Sequence, residues 1–433
     1  MTKRHSEETK QKIRASKAAT LMKRQSQTVR CYELKLVEKR LNALQREKLN
    51  LMFLEGKRFY NHVLAFKNEN QAYLSDINPA SVKEATCLDK DGNKVKFRLD
   101  NLPSHFKQTI HARMQANEKT IRILFKKGLQ KHGSLKFKSE LSCIPLKSGD
   151  WKFRSARKVW ILGIKGSVLV KGTDQIPAEC DFANANLIRK PDGCYLKVTC
   201  YISRENFKEK PKNGKEIGLD FGIKTNITTS EGEKLDMQVE ESDRLKKLQK
   251  EMFRRAKGSN NRHKTVKLIQ REYQKLSNKK EDTANKIVSK LKAYSCICMQ
   301  DEQIHSWHKG LFGKQIQHSC LGRIKQKLKA LPQTVVLDKF IPTTKWCPSC
   351  GKKNAVSLAD RTYSCSCGYH EDRDVHSAKN MLAIKNLVFG NQSVPMEHRE
   401  VTLTEFKASI REHACGIESE PRRGSEKIAS FKA

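Results

Sequence analysis

"IGLDFGIKTNITTSEGEKLDM" occupies residues 217–237, and its first five positions decide how the second half of the chain is read. Ile217, Leu219 and Phe221 alternate with the period of a strand, which puts them on one face and Asp220 on the other. Ser230-Glu231-Gly232-Glu233 then reads as a turn into a second strand. A carboxylate in mid-strand is costly to bury unless something compensates its charge. Asp220 therefore needs partners, and the sequence offers them much farther along.

Asp301 and Glu302 close an apolar run read as a strand over 296–300, and Asp374 opens a helix expected at 375–387. Three carboxylates distant in sequence, each on a strand or at the end of an element, are the donor set that converges on two divalent cations. Oxygen ligands suit Mg²⁺, which is held by a few carboxylates plus substrate phosphates. Taken singly, each acid has an ordinary explanation: Asp374 as a helix N-cap, Asp372 as a partner of Arg373, Glu302 as a solvated residue.

Just ahead of Asp374 lies "WCPSCGKKNAVSLADRTYSCSCGYHEDRDVHSAKNML", residues 346–382. Cys347-x2-Cys350 and Cys365-x-Cys367, with 14 residues between them, have the spacing of a tetrahedral four-thiolate site for one structural Zn²⁺. Gly351 and Gly368 follow the second cysteine of each pair, where a tight turn needs a permissive backbone. Free thiols or a disulfide are the alternatives; catalytic zinc is not, because four thiolates leave no open position.

The whole chain supplies the context. Of its 433 residues, 86 are Lys or Arg against 47 Asp or Glu, giving a net charge of +39 and a pI near 9.8. Such an excess calls for a polyanion, and nucleic acid is the leading partner because each neutralised phosphate releases counterions. A ribosome-like structural binder or an anionic membrane surface would also explain charge alone. No apolar run approaches the roughly 18 residues of a membrane span, and the basic N-terminus has no apolar signal core. Of the 14 cysteines, ten lie scattered, which is reduced, cytoplasmic usage. Two basic helical stretches, 243–257 and 262–294, meet at a break where Lys246, Lys247, Arg254, Arg255, Lys257, Arg262 and Lys264 cluster. These are either solvated helix faces or a phosphate grip between the acidic motifs.

The layout follows from periodicity. Residues 1–27 form a basic, partly disordered arm, and 28–36 a strand. From 38 to 135 the pattern is helical, broken by a loop at "LSDINPASVKEATCLDKDGNKVK". From 136 the period returns to two, and 208–216 is a linker. One β-barrel-like domain with an inserted helical block accounts for this, as do two small independent domains. Beyond 390 the sequence is weakly patterned and reads as a partly ordered tail.

"IGLDFGIKTNI", "RRAKGSNN", "QDEQIHSW" and the cysteine-bearing stretch resemble, in that order, the RuvC-like nuclease and zinc-ribbon region of TnpB proteins and of the miniature type V-F CRISPR effectors related to them. The resemblance spans about 212–390. It implies an α/β multidomain chain with an RNase H-like (RuvC) nuclease domain at 212–341 and 371–390, carrying an inserted zinc-ribbon target nucleic-acid-binding domain at 342–370. It also implies a β-barrel wedge domain at 28–37 and 136–211 that holds a helical recognition domain at 38–135, with a tail at 391–433. The activity it implies is RNA-guided DNA cleavage after a short T-rich flanking motif is read, with guide RNA and target DNA as partners. Asp220 and Asp374 match the family's first and third catalytic acids. For the middle acid Glu302 is the choice and Asp301 the alternative. His376 stands where the family often has Asn. The miniature effectors work as two copies on one guide RNA, TnpB as one copy; a homodimer is the expectation here. Arg254, Arg255, Lys257, Lys352 and Lys353 are the expected nucleic-acid contacts. A transposon-encoded TnpB and a nuclease-inactive RNA-guided regulator remain as alternatives.

Overall fold

The computed structural model describes residues 7–88, 92–205, 212–357, 359–390 and 399–418. It divides into two compact units, Met1–Glu209 and Lys210–Ala433. The start of the arm, parts of the tail, and residues 208–211 of the 208–216 linker lie outside the described residues.

The first unit is built on a seven-stranded antiparallel sheet. Its order is Cys143–Leu146, Asp181–Lys190, Gly193–Ser203, Gln27–Leu36, Val168–Lys171, Lys158–Ile161, Trp151–Ser155. The two-residue period does its expected work: Cys194, Leu196, Val198, Cys200 and Ile202 all point inward. Between Leu36 and Cys143 in chain order stand two long helices, Ala43–Glu69 and Ser104–Lys126. The first starts at Asn42, whose side chain accepts from the Gln45 amide in a reciprocal capping box. Met52, Phe53, Phe59, Phe106 and Ile110 from these helices share one core with Leu34, Val170, Leu187 and Leu196 from the sheet. Helices and sheet therefore bury their apolar faces on each other.

Two expectations need correction here. The segment read as a loop contains a hairpin, Glu84–Leu88 against Lys94–Arg98; turn residues around "DKDG" mask two short strands of alternating character. The arm read as partly disordered is helical from Glu7 to Gln25. It holds several strong helix formers and no Gly or Pro, and its end is fastened to the sheet. Lys23 pairs with Asp181 at 2.7 Å, and the Arg24 guanidinium lies 4.0 Å over the Tyr201 ring.

The second unit is a six-stranded mixed sheet with helices on both faces, in keeping with the α/β class expected. The order is Lys234–Leu235, Ile227–Thr229, Glu216–Phe221, Cys296–Gln300, Thr334–Leu337, Glu400–Val401. The first three are antiparallel, and the rest pair in parallel, with Leu219 opposite Met299 and Gln300 opposite Leu337. The parallel strands are covered on both sides, so they are near-continuously apolar. Ile217, Leu219, Ile297 and Met299 meet Ala284, Val288 and Leu291 of helix Asn260–Leu291 and Leu321, Ile324 and Leu328 of helix Leu321–Lys329. On the opposite face Cys298, Val335 and Leu337 meet Met381 and Ile384 of helix Arg373–Phe389.

The tail is corrected by this sheet. Glu400–Val401 is its sixth strand, and helix Leu403–Glu418 adds Phe406 to the core beside Trp346. Thr402 and Glu405 cap that helix reciprocally, so a Thr-x-x-Glu start signal was present in an otherwise weak pattern.

Candidate metal centres

The four cysteines come together. Their Sγ atoms all lie within 4.8 Å of one another, with Cys347–Cys367 at 3.7 Å and Cys350–Cys365 at 3.5 Å. Zn–S bonds of about 2.3 Å place the sulfurs of a tetrahedral site about 3.8 Å apart, whereas a disulfide needs about 2.0 Å. The donor set fits one structural Zn²⁺. Each pair sits on a tight knuckle: Gly351 donates to the Cys347 carbonyl and Gly368 to the Cys365 carbonyl. Both glycines have positive φ, 70° and 91°, which explains their place after each second cysteine.

The ribbon is wired directly to the acids. Strand Thr362–Ser364 pairs with His370–Asp372, and the next residue begins helix Arg373–Phe389. Asp372, not Asp374, is the N-cap: its Oδ1 accepts from the Asp374 and Val375 amides, and its Oδ2 takes Lys234 at 2.8 Å. Asp374 is thereby released from capping and sits in the first turn, 3.6 Å from the Arg373 guanidinium. Behind it the His376 ring stacks on Tyr363 at 3.7 Å and takes a bond from Asn380 Nδ2 at 3.0 Å. Burial holds His376 far below its usual range, at about 4, so it is neutral and acts as a packing plate between helix and ribbon.

Asp220 occupies the central strand on the face that helix Arg373–Phe389 covers. Gly218, two residues earlier on that face, admits the helix so closely that a Cβ there would lie 1.9 Å from the Ala378 carbonyl oxygen. Burial pushes the Asp220 carboxyl up to about 7, the Ser377 hydroxyl opposes this, and the charges of Asp374 and Glu302 raise it further. The charges of Asp374 and Glu302 thus reach Asp220, although among the described residues the cysteines alone form a group of three or more such donors within 4.8 Å of one another. Asp301 and Glu302 part company. Asp301 is taken up by Lys325 at 2.7 Å and Lys329 at 3.4 Å and is held below the usual carboxylate range. Glu302 makes no ion pair among the described residues, and burial raises its carboxyl. Partly dehydrated carboxylates of this kind, only partly offset by the Arg373 and Lys325 charges, are a donor set that a hard divalent cation such as Mg²⁺ fits.

The expected phosphate contacts divide. Arg254 and Lys257 are exposed at the helix break, whereas Arg255 is bound to the Asn261 carbonyl at 2.7 Å, to Thr265 and to Glu251. Arg262 donates to the Met252 and Arg255 carbonyls, closing the end of helix Asp243–Arg254. Those two arginines build the hairpin. On the ribbon Lys345, Lys353 and Arg361 are exposed and Lys352 is half-buried. Sequence reasoning missed Ser377, Thr343 and Gln300. The available signal was Ser377 lying three residues after Asp374, on the same helix face.

Comparison with known proteins agrees with the motifs. Residues 197–300 match a family described as probable transposase, OrfB_IS605, and residues 321–381 match the Cas12f1-like TNB domain. A putative RNA-guided DNA endonuclease of Streptomyces pristinaespiralis is 29% identical over 193 residues, 42% of this chain and 48% of that protein. The match thus spans about half the length of that curated relative. A cryo-EM structure of a Cas12f1–sgRNA–target DNA complex overlays with a TM-score of 0.43 at 13% identity, covering 82% of this chain and 99% of that one. That overlay is too loose to add to the fold described above. Within residues 197–381 the chain is similar to TnpB-type and Cas12f-type proteins.

Proposed function

We propose that this chain is an RNA-guided DNA endonuclease of the TnpB and Cas12f kind, with Asp220, Glu302 and Asp374 as its acids. The observation that carries the reading is the mid-strand Asp220, half-buried and desolvated, on which the charges of both other acids act and that of Arg373 only partly offsets them. A plain nucleic-acid-binding protein has no use for that cost. The three carboxylates would hold two Mg²⁺, which when bound supply water activation and stabilisation of the leaving oxygen. Asp220 presents its ligand from a strand hydrogen-bonded on both edges, and Asp374 from the first turn of a helix capped by Asp372. Lys325 and Lys329 neutralise Asp301 and leave Glu302 as the middle acid.

In the same reading the four-cysteine ribbon, 342–370, grips target DNA through Lys352, Lys353 and its exposed neighbours, with Arg254 and Lys257 adding phosphate contacts. The first unit supplies a wedge (28–37 and 136–211) and a recognition domain (38–135) for guide RNA and the T-rich motif. Two copies share one guide, and the setting is the prokaryotic cytoplasm. Among the described residues no helix is long and apolar enough to cross a membrane.

The ribbon match favours a CRISPR effector and the transposase-family match a transposon-encoded nuclease. Sequencing the RNA that co-purifies with the protein expressed beside its native flanking DNA separates them: spacer-bearing repeat RNA for the first, transposon-end RNA for the second. With that guide, Asp220→Ala and Glu302→Ala lose cleavage while keeping guide and target binding, and Asp301→Ala still cuts. Wild-type cutting by Asp220→Ala would overturn the site.

A further inference from the structure

Three buried polar side chains lead inward from Asp220, and no step of the proposed hydrolysis uses them. Ser377 Oγ donates to Asp220 Oδ1 at 2.8 Å and lies 3.2 Å from Thr343 Oγ1, which lies 3.0 Å from Gln300 Oε1. Ser377, Thr343 and Gln300 are all essentially shut off from solvent. Gln300 Nε2 donates to the Asp338 and Ile341 carbonyls at 3.0 and 2.8 Å, so its Oε1 can only accept. Two hydroxyl protons then serve three gaps. The carboxylate is the only charged acceptor and the shortest contact, so it takes the Ser377 proton, and Thr343 donates its own to Gln300.

We infer that Ser377, backed by Thr343 and Gln300, is a positioning residue that fixes the Asp220 carboxylate for cation binding. The inference rests on the reading of Asp220 as a metal ligand. The chain joins three separate pieces of the site. Gln300 ends the strand that leads to Glu302, Thr343 enters the ribbon, and Ser377 lies one turn after Asp374. One hydroxyl on Oδ1 holds the carboxylate's rotation while leaving Oδ2 for the ion. Groups that orient ligands in this way change metal affinity by about 10–100-fold when removed.

The test is Mn²⁺ titration of the full-length protein followed by electron paramagnetic resonance, with thermal melting as a check on folding. Wild type binds Mn²⁺, Asp220→Asn loses the site, and Ser377→Ala binds about tenfold more weakly with a melting temperature near wild type. Thr343→Val shifts affinity in the same direction by less, and Ser377→Thr, which keeps the hydroxyl, restores binding. Equal affinities for Ser377→Ala and wild type, with Asp220→Asn still defective, would overturn the inference alone. If Asp220→Asn binds as wild type does, the ligand reading itself fails.

Discussion

Gly218→Ala is the sharpest probe of how the strand and the helix build the site. An added Cβ would meet the Ala378 carbonyl oxygen at 1.9 Å, and real Cβ contacts are not found below 3.0 Å, so one backbone has to retreat by about 1.1 Å. The strand is poorly placed to do so: it is paired on both edges, and the Gly218 amide and carbonyl are both engaged by Ser230, at 3.1 and 3.0 Å. The helix gives way, carrying Asp374 and Ser377 with it. A 1.1 Å retreat stretches the 2.8 Å Ser377–Asp220 bond beyond hydrogen-bonding reach. Overpacking of this kind costs about 1–3 kcal/mol, which lowers the melting temperature of a unit this size by roughly 2–12 °C. A misplacement near 1 Å costs about 100-fold in rate. The assay is target cleavage by guide-loaded protein, with guide binding as the control. Gly322→Ala, where a Cβ meets open space in helix Leu321–Lys329, is the matched neutral substitution. Gly218→Ala cutting within threefold of wild type, at an unchanged melting temperature, would refute the close approach.

Zinc and pH give two further tests. Cys350→Ser removes one of four converging thiolates, so metal analysis of the purified protein should fall from one zinc per chain towards none. Cleavage should drop at least tenfold while co-purifying RNA is retained. In metal-free protein the Asp220 carboxyl titrates near 7 when folded and near 3.8 when unfolded. Its raised folded value is a stability contribution fully present below pH about 4 and lost as pH rises to about 7, worth up to about 4 kcal/mol. Urea melts across that window should show the decline, and Asp220→Asn or added Mg²⁺ should flatten it.

Local pattern and long-range packing contributed differently to this protein. The ribbon cysteines and their glycines were legible because short spacing along the chain already constrains ligand geometry. The strands at 216–221, 296–300 and 334–337 were legible because burial on one or both faces writes its period directly into the sequence. The Glu400–Val401 strand was not, since two residues carry no period and become a strand only when Leu337 offers a free edge. Asp301 and Glu302 are adjacent and chemically alike, and nothing local separates them. Only helix Leu321–Lys329 does, by bringing Lys325 and Lys329 onto Asp301. Asp372 and Asp374 were divided in the same way, by which carboxylate reached the helix amides. Which residues can bind metal is written in the chain's chemistry and spacing alone. Tertiary structure decided which acids lysines take up and what fixes the others, because charge pairing and burial depend on neighbours far off along the chain, such as Ser377, 157 residues from Asp220.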